Sequence, residues 1–345
     1  MVTRLRVGLI GAGANTRSRH IPGFRAIEGV TIEAVANRSV ESGQRVAAEF
    51  GIPRVCSSPA ELLAIPGLDA VCIGTWPYRH REFTLAALEA GKHVLCEARM
   101  AMDATEAEDM LAASRAHSAL VAQLVPAPFD FRLGPTVARM VAEGQLGDIL
   151  EATVTVLNGS GLDPAAPIHW RDRAEYSGHN VMTFGIFAEV IQRWLGDARR
   201  VTASARVNVP ARRDPESGRD LRIDVPDSLT AAVELARGAR VLYHFSSVAS
   251  GAPNNGVVLY GTKATLRWSP DDNATWAHHG GEWQPVLPDP GTDRGWQVEA
   301  DFVDSVRNGT PVRLTNFEDG VRYMRLTSAC HESWRTGRAV DIQPL

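Results

Sequence analysis

The chain has 345 residues, 44% of them hydrophobic and 22% charged, with a formal net charge of −4. That length suffices for two domains with a sizeable core, and the mild acidity excludes the basic footprint of a nucleic-acid binder. Apolar stretches are too short to span a bilayer or to form a secretory leader, so no membrane partner and a cytoplasmic location are expected.

The chain opens with RLRVGLIGAGANTRSR over residues 4–19, which reads as a buried strand, a glycine turn and a helix N-terminus. Gly11 belongs where the backbone bends sharply, and Gly13 where a pyrophosphate approaches the main chain. The helix N–H groups beyond, from Ala14 and Asn15, then hold the phosphates. Thr16 stands where a G-x-G-x-x-G fingerprint has its third glycine, so an ordinary strand–helix turn is the competing reading. The helix runs to about Ile27 and leads into a strand over 30–36 that ends in Asn37, Arg38 and Ser39. A Rossmann domain that prefers NAD usually has an acid here for the ribose hydroxyl. A cation and hydroxyl in its place favour NADP(H) over NAD(H), unless Arg38 only stacks on adenine or faces solvent.

Helices follow over 40–50 and 58–64, the second opened by Ser58 as cap and Pro59 in the first turn. Residues 70–74 (AVCIG) read as a strand buried on both faces. After it come Thr75, Trp76 and, at the start of a helix to Ala90, His80; residues 91–97 then end in Glu97. This alternation predicts an α/β fold with a doubly wound parallel sheet, whose ligands lie at the carboxyl ends of its strands. Thr75, Trp76, His80 and Glu97 stand at such ends. The four cysteines, Cys56, Cys72, Cys96 and Cys330, have no C-x-x-C spacing and read as reduced, partly buried thiols. No Cys/His/acid cluster has metal spacing.

Residues 123–131 (QLVPAPFDF) are stiffened by Pro126 and Pro128 and read as the last strand of a first domain passing into a linker. The second domain has a helix over 134–143, a strand over 149–157 and a candidate lid loop over 158–168. Half-buried antiparallel strands are expected over 200–209, 228–235, 240–247 and 256–260, then a turn and strand over 261–268. Residues 212–219 read as an exposed hairpin tip, and His278 with His279 as a loop. The domains are therefore 1–125, dinucleotide-binding, and 126–345, for substrate and oligomerisation, with closing helices that pack back on the first.

The order GLIGAG, TWPYRH, GKHVLCE and MAMDATEAEDM, with the tail DFVDSVRNGTPVRLTNFEDGVRYMRLTSACHESWRTGRAVDI, resembles the glucose-fructose oxidoreductase, inositol dehydrogenase and rhizopine-catabolism (Gfo/Idh/MocA) family along the whole chain. The resemblance implies a Rossmann domain and a C-terminal α/β domain with an open, largely antiparallel sheet. It also implies NAD(P)-dependent oxidation or reduction of a sugar, cyclitol or related polyhydroxylated carbonyl compound, in a homodimer or homotetramer. The family carries Glu-Lys-Pro where this chain has Glu97, Ala98 and Arg99, and an aspartate and a histidine where it has Thr183 and Phe187. All three usual proton-handling residues are therefore absent. Arg99 is either an electrostatic clamp or the partner of Glu97 or a neighbouring acid. The candidate replacements are His169, Tyr176 and His179 for the proton, and Trp170, Arg171, Asn180 and Thr183 for substrate. Each histidine is otherwise a capping or packing residue, and Glu189 with Arg193 is an i,i+4 ion pair. The expected activity is hydride transfer between substrate carbon and nicotinamide. The alternatives are a non-catalytic nucleotide- or sugar-binding member, or a lyase, epimerase or glycosidase that uses transient oxidation.

Overall fold

The computed structural model describes residues 4–251, 254–269, 271 and 273–345. The chain divides into two units, Met1–Pro126 with Gln297–Val321 and Ala127–Trp296 with Arg322–Leu345.

In the first unit, β1 (Leu5–Ile10), β2 (Val30–Ala36), β3 (Arg54–Cys56), β4 (Ala70–Ile73), β5 (His93–Cys96) and β6 (Ala122–Leu124) form a parallel sheet in the order β3-β2-β1-β4-β5-β6. Every residue of β4 is fully buried, as in a sheet covered on both faces. The covering helices are α1 (Ile21–Arg25), α2 (Val40–Phe50), α3 (Pro59–Leu63), α4 (His80–Glu89) and α5 (Ala104–Ala116). Ser39, Ser58 and Asp103 cap α2, α3 and α5 by accepting the N–H three residues on.

The helix after the glycine turn departs from the regular one expected to Ile27. Residues 14 and 15 are helical, Thr16–His20 form a π turn, and α1 ends at Arg25. The widened turn carries both Thr16 and His20 inward, at 1% and 0% exposure. Thr16 occupies the place of the third glycine, and Gly74 makes room for it: a Cβ on Gly74 would lie 2.0 Å from Thr16 Oγ1. The close approach that the fingerprint obtains from its third glycine is thus obtained from a glycine just beyond the neighbouring strand, β4. The QLVPAPFDF stretch supplies only the last two residues of an edge strand, because β6 stops at Leu124, before the prolines.

The second unit begins with α6 (Gly134–Ala142), β7 (Ile149–Leu157), α7 (Ala174–Ser177), α8 (Phe184–Leu195) and β8 (Ala198–Arg206). A short hairpin of β9 (Ala211–Arg213) and β10 (Asp220–Arg222) stands apart from the main sheet. The sheet continues with β11 (Ser228–Leu235), β12 (Arg240–Ser246), β13 (Asn254–Gly261), β14 (Ala264–Ser269), β15 (Asn273–His278) and β16 (Gln284–Pro285). After α9 (Val298–Asn308), which belongs to the first unit, α10 (Phe317–Thr336) and β17 (Val340–Asp341) close the chain. The nine strands run β16-β15-β14-β13-β7-β12-β11-β8-β17; β7 and β12 are parallel and the other pairs antiparallel. Val241, Tyr243 and Phe245 of β12 are buried while Arg240, Leu242 and His244 are exposed, so one face of the sheet carries the core. Tyr243 and Phe245 meet Phe184 of α8 edge-on there.

Two expectations are corrected. Arg212 is not part of an exposed tip: it lies in β9 at 9% exposure and donates to the carbonyls of Gly161, Asp163 and Ala166, tying down the 158–168 loop. His278 ends a strand, β15, and only His279 stands in the turn beyond it.

Candidate active site

In the first unit, Gly11 has φ +83°, and a Cβ there would lie 2.7 Å from Thr75 Cγ2. Gly11 is thus required by the bend itself. A Cβ on Gly13 would meet only Gly74 O, at 3.5 Å, so the space above the turn is open to a ligand. Ala12 N donates to Asn37 Oδ1 (2.8 Å), and Asn37 Nδ2 donates to Ser42 Oγ (3.0 Å). Asn37 therefore braces the glycine turn and Ser39 caps α2, which leaves the exposed Arg38 as the cation at the end of β2.

Thr75 Oγ1 is buried and makes no hydrogen bond among the described residues. Trp76 caps the 3-10 turn Pro77–Arg79, its ring 6.3 Å from that of Tyr78. His80 is a strut: it is fully buried, with Nε2 3.0 Å from Thr75 O and Nδ1 3.0 Å from Arg99 O. Burial pulls its pKa below the usual histidine value, although the carbonyls favour the charged form. Glu97 accepts from Asn15 Nδ2 and lies 3.0 Å from His20 Nε2. These bonds outweigh burial and hold its carboxyl below the usual range. Arg99 is buried at 3% exposure and does not pair with Glu97, whose polar partners among the described residues are Asn15, His20 and Ala98 N.

His20 was not legible as a site residue, nor was its second partner, Glu299, 2.5 Å from Nδ1. The only signals were a histidine on the inward face shared with Ile21 and Phe24, and an acid on the buried side of α9.

In the second unit, a cavity of about 270 Å³ is lined by His169, Arg171, Asp172, Arg212, Asp227 and Ser247 among others. His169 caps the turn Trp170–Asp172: its Nδ1 accepts from Arg171 N and its own N donates to Asp172 Oδ2. The Arg171 guanidinium stacks 4.3 Å above the Trp170 ring. His179 lines a different cavity, of about 500 Å³, with His331, Trp334, Arg206, Arg222 and Arg335. Its ring stacks on His331 at 3.8 Å, and its Nδ1 lies 3.0 Å from Ser328 Oγ. Burial, His179 and Arg335 together lower the His331 pKa to about 4. The two histidine candidates are therefore not brought together. Tyr176 and Asn180 line neither cavity among the described residues; Arg173 sits 4.7 Å over the Tyr176 ring and buried Asn180 donates to Ser177 O. Thr183 caps α8 with its Oγ1 buried and unbonded among the described residues. Glu189 pairs with Arg193, as expected, and Arg193 also pairs with Asp130.

Residues 5–123 match the model of the oxidoreductase family with an NAD-binding Rossmann fold, and residues 135–267 match the C-terminal domain model of the same family. The chain belongs to the Gfo/Idh/MocA family. It is 30% identical to inositol 2-dehydrogenase of Gluconacetobacter diazotrophicus over 64% of this chain and 66% of the relative. With inositol 2-dehydrogenase 2 of Saccharopolyspora erythraea it shares 27% identity over 98% of this chain and 96% of the relative. Levoglucosan dehydrogenase in complex with NADH and L-sorbose has the same fold, with a TM-score of 0.88 at 23% identity over 99% of each chain. For a Gfo/Idh/MocA member the surroundings of Phe187 are informative. Its ring is 4% exposed, stacked on Phe129 at 4.4 Å, and meets Phe245 at 5.6 Å and Trp268 at 6.3 Å. Among the described residues no group of three metal-ligating side chains occurs, and no helix is long and apolar enough to cross a membrane.

Proposed function

We propose that this Gfo/Idh/MocA member is an NAD(P)-dependent dehydrogenase or reductase of a sugar, cyclitol or related polyhydroxylated carbonyl compound, with NADP(H) preferred. The observation that carries this reading is the glycine turn, closed to any side chain at Gly11 and open above Gly13. Gly11, Gly13 and the N–H groups of Ala14 and Asn15 would hold the pyrophosphate. Arg38, with no acid at the end of β2, would meet the 2′-phosphate. Bound there, the coenzyme supplies a hydride acceptor or donor. Thr75 Oγ1 is left to exchange a hydrogen bond with it.

In the second unit His169 is exposed at the cavity that also holds Arg171 and Ser247, and it is the group we assign to holding or moving the substrate proton. Arg171 and Trp170 would orient substrate hydroxyls and a ring face. The inositol and levoglucosan dehydrogenases among its relatives support the substrate class. Residues 1–125 as the dinucleotide-binding part and 126–345 as the substrate part, a homodimer or homotetramer, and a cytoplasmic location complete the proposal. The second reading, nucleotide or sugar binding without turnover, draws on Phe187: the position at which the resemblance sets the family's histidine holds a core phenylalanine.

Titration with NADPH and NADH, read by nicotinamide fluorescence, tests the first step. NADPH binds more tightly, and Arg38→Ala removes the preference while sparing NADH. A polyol and sugar panel then follows, with His169→Ala and His179→Ala compared. Loss of turnover in the first alone supports the assignment. Binding without turnover favours the second reading, and failure to bind either coenzyme sinks both nucleotide-dependent readings.

A further inference from the structure

The first unit holds a chain of buried ionisable groups that the glycine fingerprint does not call for. Glu299 on α9 lies 2.5 Å from His20 Nδ1, and His20 Nε2 lies 3.0 Å from Glu97 Oε1. That same oxygen accepts from Asn15 Nδ2 in the glycine turn, while Oε2 accepts from Ala98 N at 3.2 Å. Along this chain the side-chain exposures are 3% for Glu299, 0% for His20 and 13% for Glu97, so only the Glu97 end approaches the surface. Gly23 admits the far end, since a Cβ there would lie 2.4 Å from Glu299 Oε2.

Burying charged groups is costly unless they are paired and hydrogen-bonded. Two carboxylates around one imidazolium leave a net charge of one anion, and only Glu97 opens toward solvent. A carboxylate has about four lone-pair positions. Among the described residues, His20, Asn15 and Ala98 N account for three on Glu97, which leaves Oε2 able to accept one more hydrogen bond.

We propose that His20, anchored by Glu299, is a positioning residue for coenzyme binding: it holds Glu97 ionised beside the glycine turn as an acceptor for a hydroxyl of the bound nucleotide. The inference rests on the coenzyme reading above. Asn15 joins the two functions, because it belongs to the turn that would hold the phosphates and donates to the carboxylate that would take the hydroxyl. Burial opposes the charged form of His20, but the hydrogen bonds to Glu299 and Glu97 prevail and raise its pKa to about 9. The other titratable groups facing this chain stay neutral. Burial and Glu97 push the thiols of Cys72 on β4 and Cys96 on β5 upward, and His80 on α4 is held low. Loss of a proton near pH 9 therefore belongs to His20. Coenzyme affinity is highest below that pH and falls as His20 deprotonates and Glu97 loses its cation.

The test uses the full chain with His20→Gln and Glu299→Gln, the latter outside the glycine turn. NADPH and NADH are titrated from pH 6.5 to 10, and imidazole NMR follows the histidines of the coenzyme-free protein. The expected result is about a tenfold weaker affinity for both coenzymes in His20→Gln and a smaller loss in Glu299→Gln. The wild-type decline above pH 9 should be absent from His20→Gln, and the His20 resonance should titrate lower in Glu299→Gln. If both variants melt earlier yet bind both coenzymes as the wild type does, with the same pH profile, the network is only structural and the proposal is overturned. If His20→Gln does not fold, Glu299→Gln decides by the same readings. If the wild type binds neither coenzyme, the coenzyme reading fails first and takes this inference with it.

Discussion

Placing a histidine at residue 187, where the resemblance sets the family's histidine, by Phe187→His should damage the fold rather than add chemistry. Phe187 is 4% exposed and contacts Phe129, Phe245 and Trp268. Full burial of a phenylalanine side chain stabilises by about 1.5–3 kcal/mol, most of which a polar ring forfeits. The introduced imidazole also places an N–H among aromatic carbons, and an unsatisfied buried donor costs about 1–3 kcal/mol. Part of the ring–ring attraction survives, so the net loss is about 3 kcal/mol at pH 8. The loss should grow on acidification. An imidazole buried in this cluster resists protonation, so its folded pKa falls below the ordinary value of about 6.5. Stability is then intact above pH 6.5 and is lost as pH falls, by up to about 1.4 kcal/mol per pH unit. Urea unfolding of both proteins at pH 8 and pH 5.5, followed by tryptophan emission, measures the two deficits, and subtracting the wild type removes the native histidines. A deficit below about 1 kcal/mol, or the same deficit at both pH values, would refute the packing argument; a gain in turnover would refute the view that this position has left the chemistry.

Gly11→Ala should lower the melting temperature by several degrees, since it adds left-handed strain to a clash with Thr75, whereas Gly13→Ala should leave it within about a degree and weaken only coenzyme binding. Thermal melts beside coenzyme titrations separate the two glycines. Arg193→Met should cost about 3–5 kcal/mol in urea unfolding, because it removes the cation paired with the buried carboxylates of Asp130 and Glu189, at 1% and 3% exposure. His331, with its pKa lowered to about 4, makes stability fall between pH 6.5 and 4, where the unfolded chain binds the proton first. Melts at pH 7 and pH 5 should show a smaller drop in His331→Gln than in the wild type.

The sheet of the first unit was readable because each of its strands carries its own evidence. Continuous apolar runs such as 70–74 read as strands covered on both faces, and Ser58 before Pro59 marks where a helix begins. The π turn was not readable. Whether an extra residue is inserted into a helix depends on what Thr16 and His20 meet, and their partners, Gly74 and Glu299, lie far away in sequence. Arg212 was misread for a related reason. A polar stretch with proline and glycine looks like an exposed tip, yet one guanidinium can be buried once carbonyls from another loop accept its hydrogen bonds. The candidate site was legible as a list and not as a geometry: spacing set His169 and His179 in one group, whereas the fold turns them into separate cavities.

The three positions at which the resemblance sets the family's proton-handling residues differ in their surroundings. Phe187 is a core residue whose ring meets three aromatic partners. Thr183 sets a hydroxyl at the head of α8, buried and unbonded among the described residues. Ala98 is different again, because its amide continues to brace Glu97, and Glu97 keeps its bonds to the glycine turn and to His20. A chain that had shed its function would have no physical reason to keep three ionisable groups buried in register, since apolar residues of similar volume stabilise such a place as well or better. The Glu299–His20–Glu97 chain beside an open glycine turn therefore fits a Rossmann unit that binds a nucleotide.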